Sequence, residues 1–389
     1  MPCASWGGLP KRMILTAGEP GARLTHRLLA WFSENSRSLP WRFTSDPYAI
    51  VVAEFMLHQT RVSTVLAYYD RFLQRFPSWE ALARSSLDDV LKSWEGMGYY
   101  ARARNLHRLA RQVSDPYRGQ LPQSKEALRA LPGIGEYTAG AILSMVFGQD
   151  EPAIDGNVRR VLSRLFALTA DPGTHPGRRQ ILQAARSLLP PGQAGTFNQA
   201  LMDLGALICT PRHPACPACP WVENCLARQR GLQDELPIRS PSRPLPHYDV
   251  AAAVIWREGK ILIAQRPPSG LLGGLWEFPG GKRLADESLK DCAAREVREE
   301  LLIEIEVGPL LARIDHAYTH FRITLHAFTC RYEGGEPRAI GCTAWRWVRP
   351  EKLDQYAFPA ANRRIIDQLR QCETGPADQA WMPDRIGQE

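Results

Sequence analysis

The 389-residue chain has no apolar run long enough to cross a membrane. It also lacks the layout of a secretory signal peptide: its opening stretch, "MPCASWGGLPKRMILTAGEPG", is rich in glycine and proline and reads as a disordered tail. The expectation is a cytoplasmic protein. No repeat period is visible, which argues against a solenoid. Charge of one sign is not in large excess, with 48 Lys+Arg against 41 Asp+Glu, a net of +7. That balance leans only slightly toward a polyanionic partner. Nine cysteines is an odd number, and four of them crowd into Cys209–Cys225, which speaks against a disulfide scaffold and for a metal site.

What is present is ordinary globular composition, 44% hydrophobic and 23% charged, in a chain long enough for two or three domains. Strand-like alternation is missing from the first half. There "VRRVLSRLF" places Val158, Val161, Leu162 and Leu165 on one helical face, and "TFNQALMDLGALIC" does the same with Phe197, Leu201, Leu204 and Ile208. A proline-rich stretch with Pro237, Pro241, Pro244 and Pro246 then reads as a linker. Beyond it "YDVAAAVIW", "KILIAQR", "FRITLHAFTCRY" and "AWRWV" look like strands around one helix, "ESLKDCAAREVREEL". The expected organisation is a tail over 1–22, an all-α domain over 23–231 with a cysteine loop at 209–225, a linker over 232–246, an α+β domain over 247–372 and a tail over 373–389.

"LPGIGEYTAG" joins two helical runs. A turn that tight needs positive φ, which Gly133 and Gly135 supply cheaply. It is either a plain αα-turn or a turn whose second helix offers free N–H groups to a phosphate, and the basic balance and the residues that follow favour the phosphate.

Glu54 stands in the apolar run "VVAEFMLHQTRV". A glutamate there is either on an exposed face or buried for a purpose, and burial would keep a proton on it near neutrality, as a general acid requires. Asp155 precedes Gly156 and Asn157 at a helix start, where capping is its simplest role, and an ionised carboxylate there would also steady a nearby cation. One raised and one ionised carboxylate form the pair that breaks a glycosidic bond. The cysteines, spaced C-x6-C-x2-C-x5-C at Cys209, Cys216, Cys219 and Cys225, suit zinc or a [4Fe–4S] cluster. One close pair with two unequal arms favours the cluster.

Taken together, "LPWR", "EFMLHQTRV", "WEGMGYYARARNLH", "LPGIGEYTAG", "DGNVRRVLSR", "FNQALMDLGALICTPRHPACPACP" and "GLLGGLWEFPGGK" resemble the helix-hairpin-helix, iron–sulfur DNA glycosylases, in their adenine-removing branch. The resemblance covers nearly the whole chain. It implies that Glu54 protonates adenine at N7 and that Asp155 stabilises the sugar cation. It gives Tyr137 and Asn157 the task of orienting those carboxylates, and Trp41, Arg42 and Gln199 the pocket for a flipped adenine. Gln59 and Tyr99 become wedges in the duplex, Gly133 and Gly135 the phosphate hairpin, and the four cysteines [4Fe–4S] ligands. The related strand-cutting branch has a lysine where this chain has Tyr137, and a phenol forms no Schiff base, so base removal by water with little or no lyase activity is expected. The implied partner is double-stranded DNA with adenine opposite 8-oxoguanine or guanine, bound by a monomer in a bacterial cytoplasm. His58 departs from the family's usual glutamine beside the wedge, where it is expected to alter duplex affinity rather than chemistry.

The second half resembles a Nudix domain that reads 8-oxoguanine, with Tyr318-Thr319-His320 in place of the family's Phe-Ser-His. Gly281, Glu287, Arg295, Glu296, Glu299 and Glu300 nearly complete the Nudix hydrolase box, whose late glycine is Leu302 here. Glycine gives that turn an ease that leucine resists. The expectation is a vestigial site with weak Mg²⁺ binding at Glu296, Glu299 and Glu300. A lyase, a tethered Nudix pyrophosphohydrolase and a non-catalytic lesion binder are the rival readings.

Overall fold

The structure, a computed structural model, describes residues 19–373 apart from 239 and 241–243. Part of the linker and most of both tails therefore lie outside the described residues. Helix α1 nevertheless begins at Glu19, inside the span expected as a tail, and Pro20 in its first turn has the fixed φ that a helix start accepts.

Helices follow in the order α1 (Glu19–Asn35), α2 (Pro47–Leu57), α3 (Val62–Arg75), α4 (Trp79–Arg84), α5 (Leu87–Trp94) and α6 (Ala101–Ser114). Then come α7 (Lys125–Arg129), α8 (Glu136–Met145), α9 (Gly156–Leu165), α10 (His175–Leu188), α11 (Ala194–Leu207) and α12 (Leu226–Gln229). No strand occurs before His247 among the described residues, as the sequence led one to expect. None of the described helices is long and apolar enough to cross a membrane.

By compactness the chain divides into two units, one of residues 1–62, 78–80 and 109–242, the other of residues 63–77, 81–108 and 243–389. In the first, Val158, Val161, Leu162 and Leu165 of α9 bury against Phe197, Leu201 and Leu204 of α11, with Leu24 and Leu28 of α1 and Trp221 completing the core. Helix α2 runs through the interior. Asp46 caps it by accepting from the Tyr48 N–H (3.0 Å), Pro47 sits in its first turn, and every residue from Tyr48 to Met56 is buried.

The second unit holds a mixed sheet: β1 (His247–Arg257), β2 (Lys260–Gln265), β3 (Trp276–Glu277), β4 (Gly280–Lys282), β5 (Glu304–Ala317), β6 (Arg322–Gly334) and β7 (Ala344–Val348). The main path runs β3-β2-β1-β6-β5, with β4 on β1 and β7 on β2. Strands β1 and β6 are parallel, and the other pairs are antiparallel. Helices α13 (Leu289–Leu301) and α14 (Ala360–Glu373) take opposite faces. Ala251, Ala253 and Ile255 join the cluster of α13, and Ala252, Val254 and Trp256 join that of α14, the period of two expected of a strand buried on both sides.

Strand β5 was not evident from the sequence. It carries Pro309 and shifts register between Val307, Leu310 and Ala312, and it ends the sheet path, where proline and bulges are tolerated. The loop 318–321 between Ala317 and Arg322 carries Tyr318, Thr319 and His320.

Candidate active site

Glu54 is 5% exposed, and Tyr137 of α8 donates its hydroxyl to Glu54 Oε2 at 2.7 Å. Burial pushes the Glu54 carboxyl up to about 7, with the charge of Asp155 adding to it and the Tyr137 hydrogen bond and Arg42 opposing it. The Tyr137 hydroxyl itself is driven well above its usual range, first by burial and then by both carboxylates, so it stays a neutral donor. Glu54, Tyr137 and Asp155 thus share one electrostatic neighbourhood, although they come from three separate elements.

Asp155 caps its helix and takes a side-chain bond on its other oxygen. Its Oδ1 accepts from the Val158 N–H at 2.7 Å and caps α9, while its Oδ2 accepts from Asn157 Nδ2 at 2.9 Å. Burial raises its carboxyl, and the hydrogen bonds from Val158 and Asn157 and the charge of Arg160 pull the other way. Burial thus raises both carboxyls, and Glu54 is the one carried up to about 7. Arg160 then extends the line: it donates to Asn157 Oδ1 (2.9 Å), to the Gly205 carbonyl (2.7 Å) and to the Cys209 carbonyl (2.7 Å). Gly205 lets α11 approach this point, since a Cβ there would stand 2.6 Å from the Asn157 Cβ.

Trp41 and Arg42 lie in a short 3₁₀ turn, Pro40–Arg42, with Trp41 buried. Arg42 is committed to Asp203 of α11, with Nη1 donating to Oδ2 at 2.8 Å and Nη2 to Oδ1 at 2.9 Å. Gln199 is half-buried one helical turn before Asp203, on the same face of α11. From that helix too, Met202 Sδ lies 3.9 Å from the Tyr137 hydroxyl. His58 stacks on Phe55 (5.9 Å between ring centres), meets the edge of Tyr137 (5.7 Å) and lies 3.1 Å from Thr138 Oγ1. It therefore touches the helix that carries Tyr137, a contact that its position beside the wedge had not suggested.

The hairpin needs one correction. Gly133 has φ 78°, as expected, but Gly135 has φ −92° and is the N-cap of α8. A Cβ at Gly135 would meet nothing within 4 Å, so neither positive φ nor crowding requires glycine there. Gln59 and Tyr99, both exposed, have φ of 57° and 48°, a region that costs a non-glycine residue energy and marks a held conformation. Arg102 sits under the rings of Trp94 and Tyr99. The Tyr99 hydroxyl lies 3.2 Å from Thr319 Oγ1, within the second unit. Tyr318 packs against His316 and Phe321, leaving Thr319 and His320 exposed.

The four cysteines of the loop are free thiols, and Cys209, Cys219 and Cys225 pack on the core beneath α9 and α11. Burial pushes Cys219 up to about 12, with the other three thiols adding to the rise. Arg164 donates to Cys209 Sγ at 3.4 Å and to the Thr210 carbonyl at 2.7 Å, and accepts at its own carbonyl from Cys225 Sγ at 3.5 Å. Among the described residues no three His, Cys, Asp or Glu side chains converge on a single ion position.

In the Nudix-like helix, Arg295 binds Glu287 through both Nε (2.9 Å) and Nη2 (2.7 Å), and its Nη1 reaches Glu296 and Glu299 at 3.0 Å each. The Arg295 bonds hold the Glu287 carboxyl down at about 2. Glu300 is pushed up to about 8 by burial and by Glu277, which is itself paired with Arg266. The leucine that replaces the late glycine does take up the left-handed turn, with φ 57° at Leu302. The turn survives with its strain.

Residues 52–191 match the HhH-GPD superfamily of base excision DNA repair proteins, and residues 250–368 match the NUDIX domain. The adenine DNA glycosylase of Homo sapiens is 34% identical over an alignment covering 87% of this chain and 72% of that protein. That of Rattus norvegicus is 33% identical, covering 87% of this chain and 76% of its own. Among solved structures, a thermostable thymine-DNA glycosylase superposes with a TM-score of 0.50 at 29% identity, covering 54% of this chain and 98% of that one.

Proposed function

The chain belongs to the adenine DNA glycosylases of base excision repair, and on that premise we propose that it excises adenine paired with 8-oxoguanine or guanine and leaves the strand intact. The observation that carries this reading is the 2.7 Å bond from Tyr137 to a buried Glu54 beside Asp155. Adenine buried in the stack must be extruded before its glycosidic bond can be reached. Glu54, protonated near neutrality, gives its proton to N7 of the extruded base. Asp155, anionic and held by Val158 and Asn157, faces the developing oxocarbenium ion. Water completes the displacement. Tyr137 has no amine with which to capture the sugar, so the phosphodiester survives.

The held conformations of Gln59 and Tyr99 support their reading as wedges, and the exposed Thr319 and His320 support a reader of the opposite base. The protein acts as a monomer on nucleoid DNA in a bacterial cytoplasm. Single-turnover assays on duplexes with adenine opposite guanine or 8-oxoguanine test the proposal. Strand breaks only after alkali, fastest for 8-oxoguanine, are expected. Alkali-independent breaks or borohydride-trapped adducts would contradict it.

Cys209, Cys216, Cys219 and Cys225 would hold a [4Fe–4S] cluster. The C-x6-C-x2-C-x5-C spacing, one close pair with two unequal arms, favours the cluster over zinc. When bound, the cluster supplies a rigid clamp on the loop after α11. The Nudix box is vestigial, with weak Mg²⁺ binding at most. Its carboxylates are engaged by Arg295, and Glu300 keeps its proton to about 8, which disfavours a divalent cation.

A further inference from the structure

A cation next to a general acid works against it, because a nearby positive charge favours the ionised carboxylate. Arg42 is such a cation and pulls on Glu54. Its partner is Asp203, the one charged residue of α11, wholly buried at 0% exposure. Asp203 accepts both Arg42 bonds already described, and also Arg37 Nε at 2.9 Å and the Arg37 N–H at 3.2 Å. Arg42 donates to the Arg37 carbonyl at 3.0 Å, which closes the cluster. The two arginines hold the Asp203 carboxyl below its usual range against the cost of burial, so it is an anion.

We propose that Asp203 is a positioning residue of the excision step: it clamps Arg42 beside the buried Trp41 and compensates its charge, so that Glu54 works beside a shielded guanidinium. The proposal rests on the reading of Glu54 as the acid. The groups that act on Glu54 are Tyr137 from α8, Asp155 at the start of α9 and Arg42 from the 3₁₀ turn, with His58 at the edge of Tyr137. Asp203 stands behind Arg42 on α11. A single aspartate in an apolar helix is the signal the sequence offered for it.

The test is the single-turnover rate of adenine release from about pH 5 to about pH 9. In Asp203→Asn, an unshielded Arg42 favours ionised Glu54, and the alkaline limb moves down by about one pH unit. In Arg42→Gln the limb moves up, and in the double variant it returns toward the wild-type position. Asp203→Glu restores the wild-type limb. A rate that falls by one factor at every pH in Asp203→Asn, with its limb unmoved, would overturn the proposal. Should that variant fail to fold, Arg42→Gln decides, and a limb that does not rise overturns it equally. Absence of adenine release by the wild type at any pH would instead strike the excision reading.

Discussion

Two glutamates, the buried Glu54 in one compact unit and the half-buried Glu300 in the other, hold a proton at or above neutrality, and their surroundings set them apart. Glu54 is raised to about 7 and Glu300 to about 8, both mainly by burial. Around Glu54 the cation is turned onto Asp203, and the partners left are a neutral phenol and a second carboxylate. Around Glu300 the guanidinium groups of Arg295 and Arg266 are bound to its fellow carboxylates. A raised acid becomes useful when its neighbours leave its proton transferable and place an anion where positive charge will develop. The carboxylates around Glu300 are engaged with each other's partners, and no such division of labour results.

The largest expected break in this comparison is Glu54→Gln, which removes the proton but keeps the shape. Adenine release should fall by about 10³-fold or more, while the Kd for duplex stays near wild type. Loss of binding as deep as the loss of rate would contradict the assignment. Gly205→Ala comes next. Its Cβ would press on Asn157 and displace the amide that holds Asp155, which predicts a rate loss on the order of 10²-fold in single-turnover assays, with little change in duplex affinity.

Glu300→Gln acts on the other side of the comparison, on stability and not on rate. Its carboxyl stands higher folded than unfolded, so its favourable contribution is complete below about pH 4.5 and lost as pH rises through about 8. The variant should therefore melt higher than wild type at pH 8 and equal it at acid pH, with excision unchanged. A Tm difference independent of pH would contradict this. Smallest of all, Leu302→Gly should relieve a left-handed leucine that is half exposed, a gain of about 1 kcal/mol in urea unfolding.

The two candidate carboxylates were legible because each breaks a local pattern: Glu54 is a charge inside an apolar run, and Asp155 opens a helix before Gly156-Asn157. What supports them was not, because it is non-local. Arg42 and Asp203 lie 161 residues apart, and Arg160 reaches 49 residues to Cys209. Tyr99 and Thr319 are separated by 220. Strand β5 hid behind Pro309 and its bulges, and the extended φ of Gly135 shows that a glycine in a turn does not always take the left-handed conformation.

The most direct test of the central claim, that a buried and protonated Glu54 delivers the proton, is the pH dependence of adenine release in a single turnover. The expected rate declines as pH rises through about 7, where Glu54 ionises. A rate that stays level well above that value would contradict it.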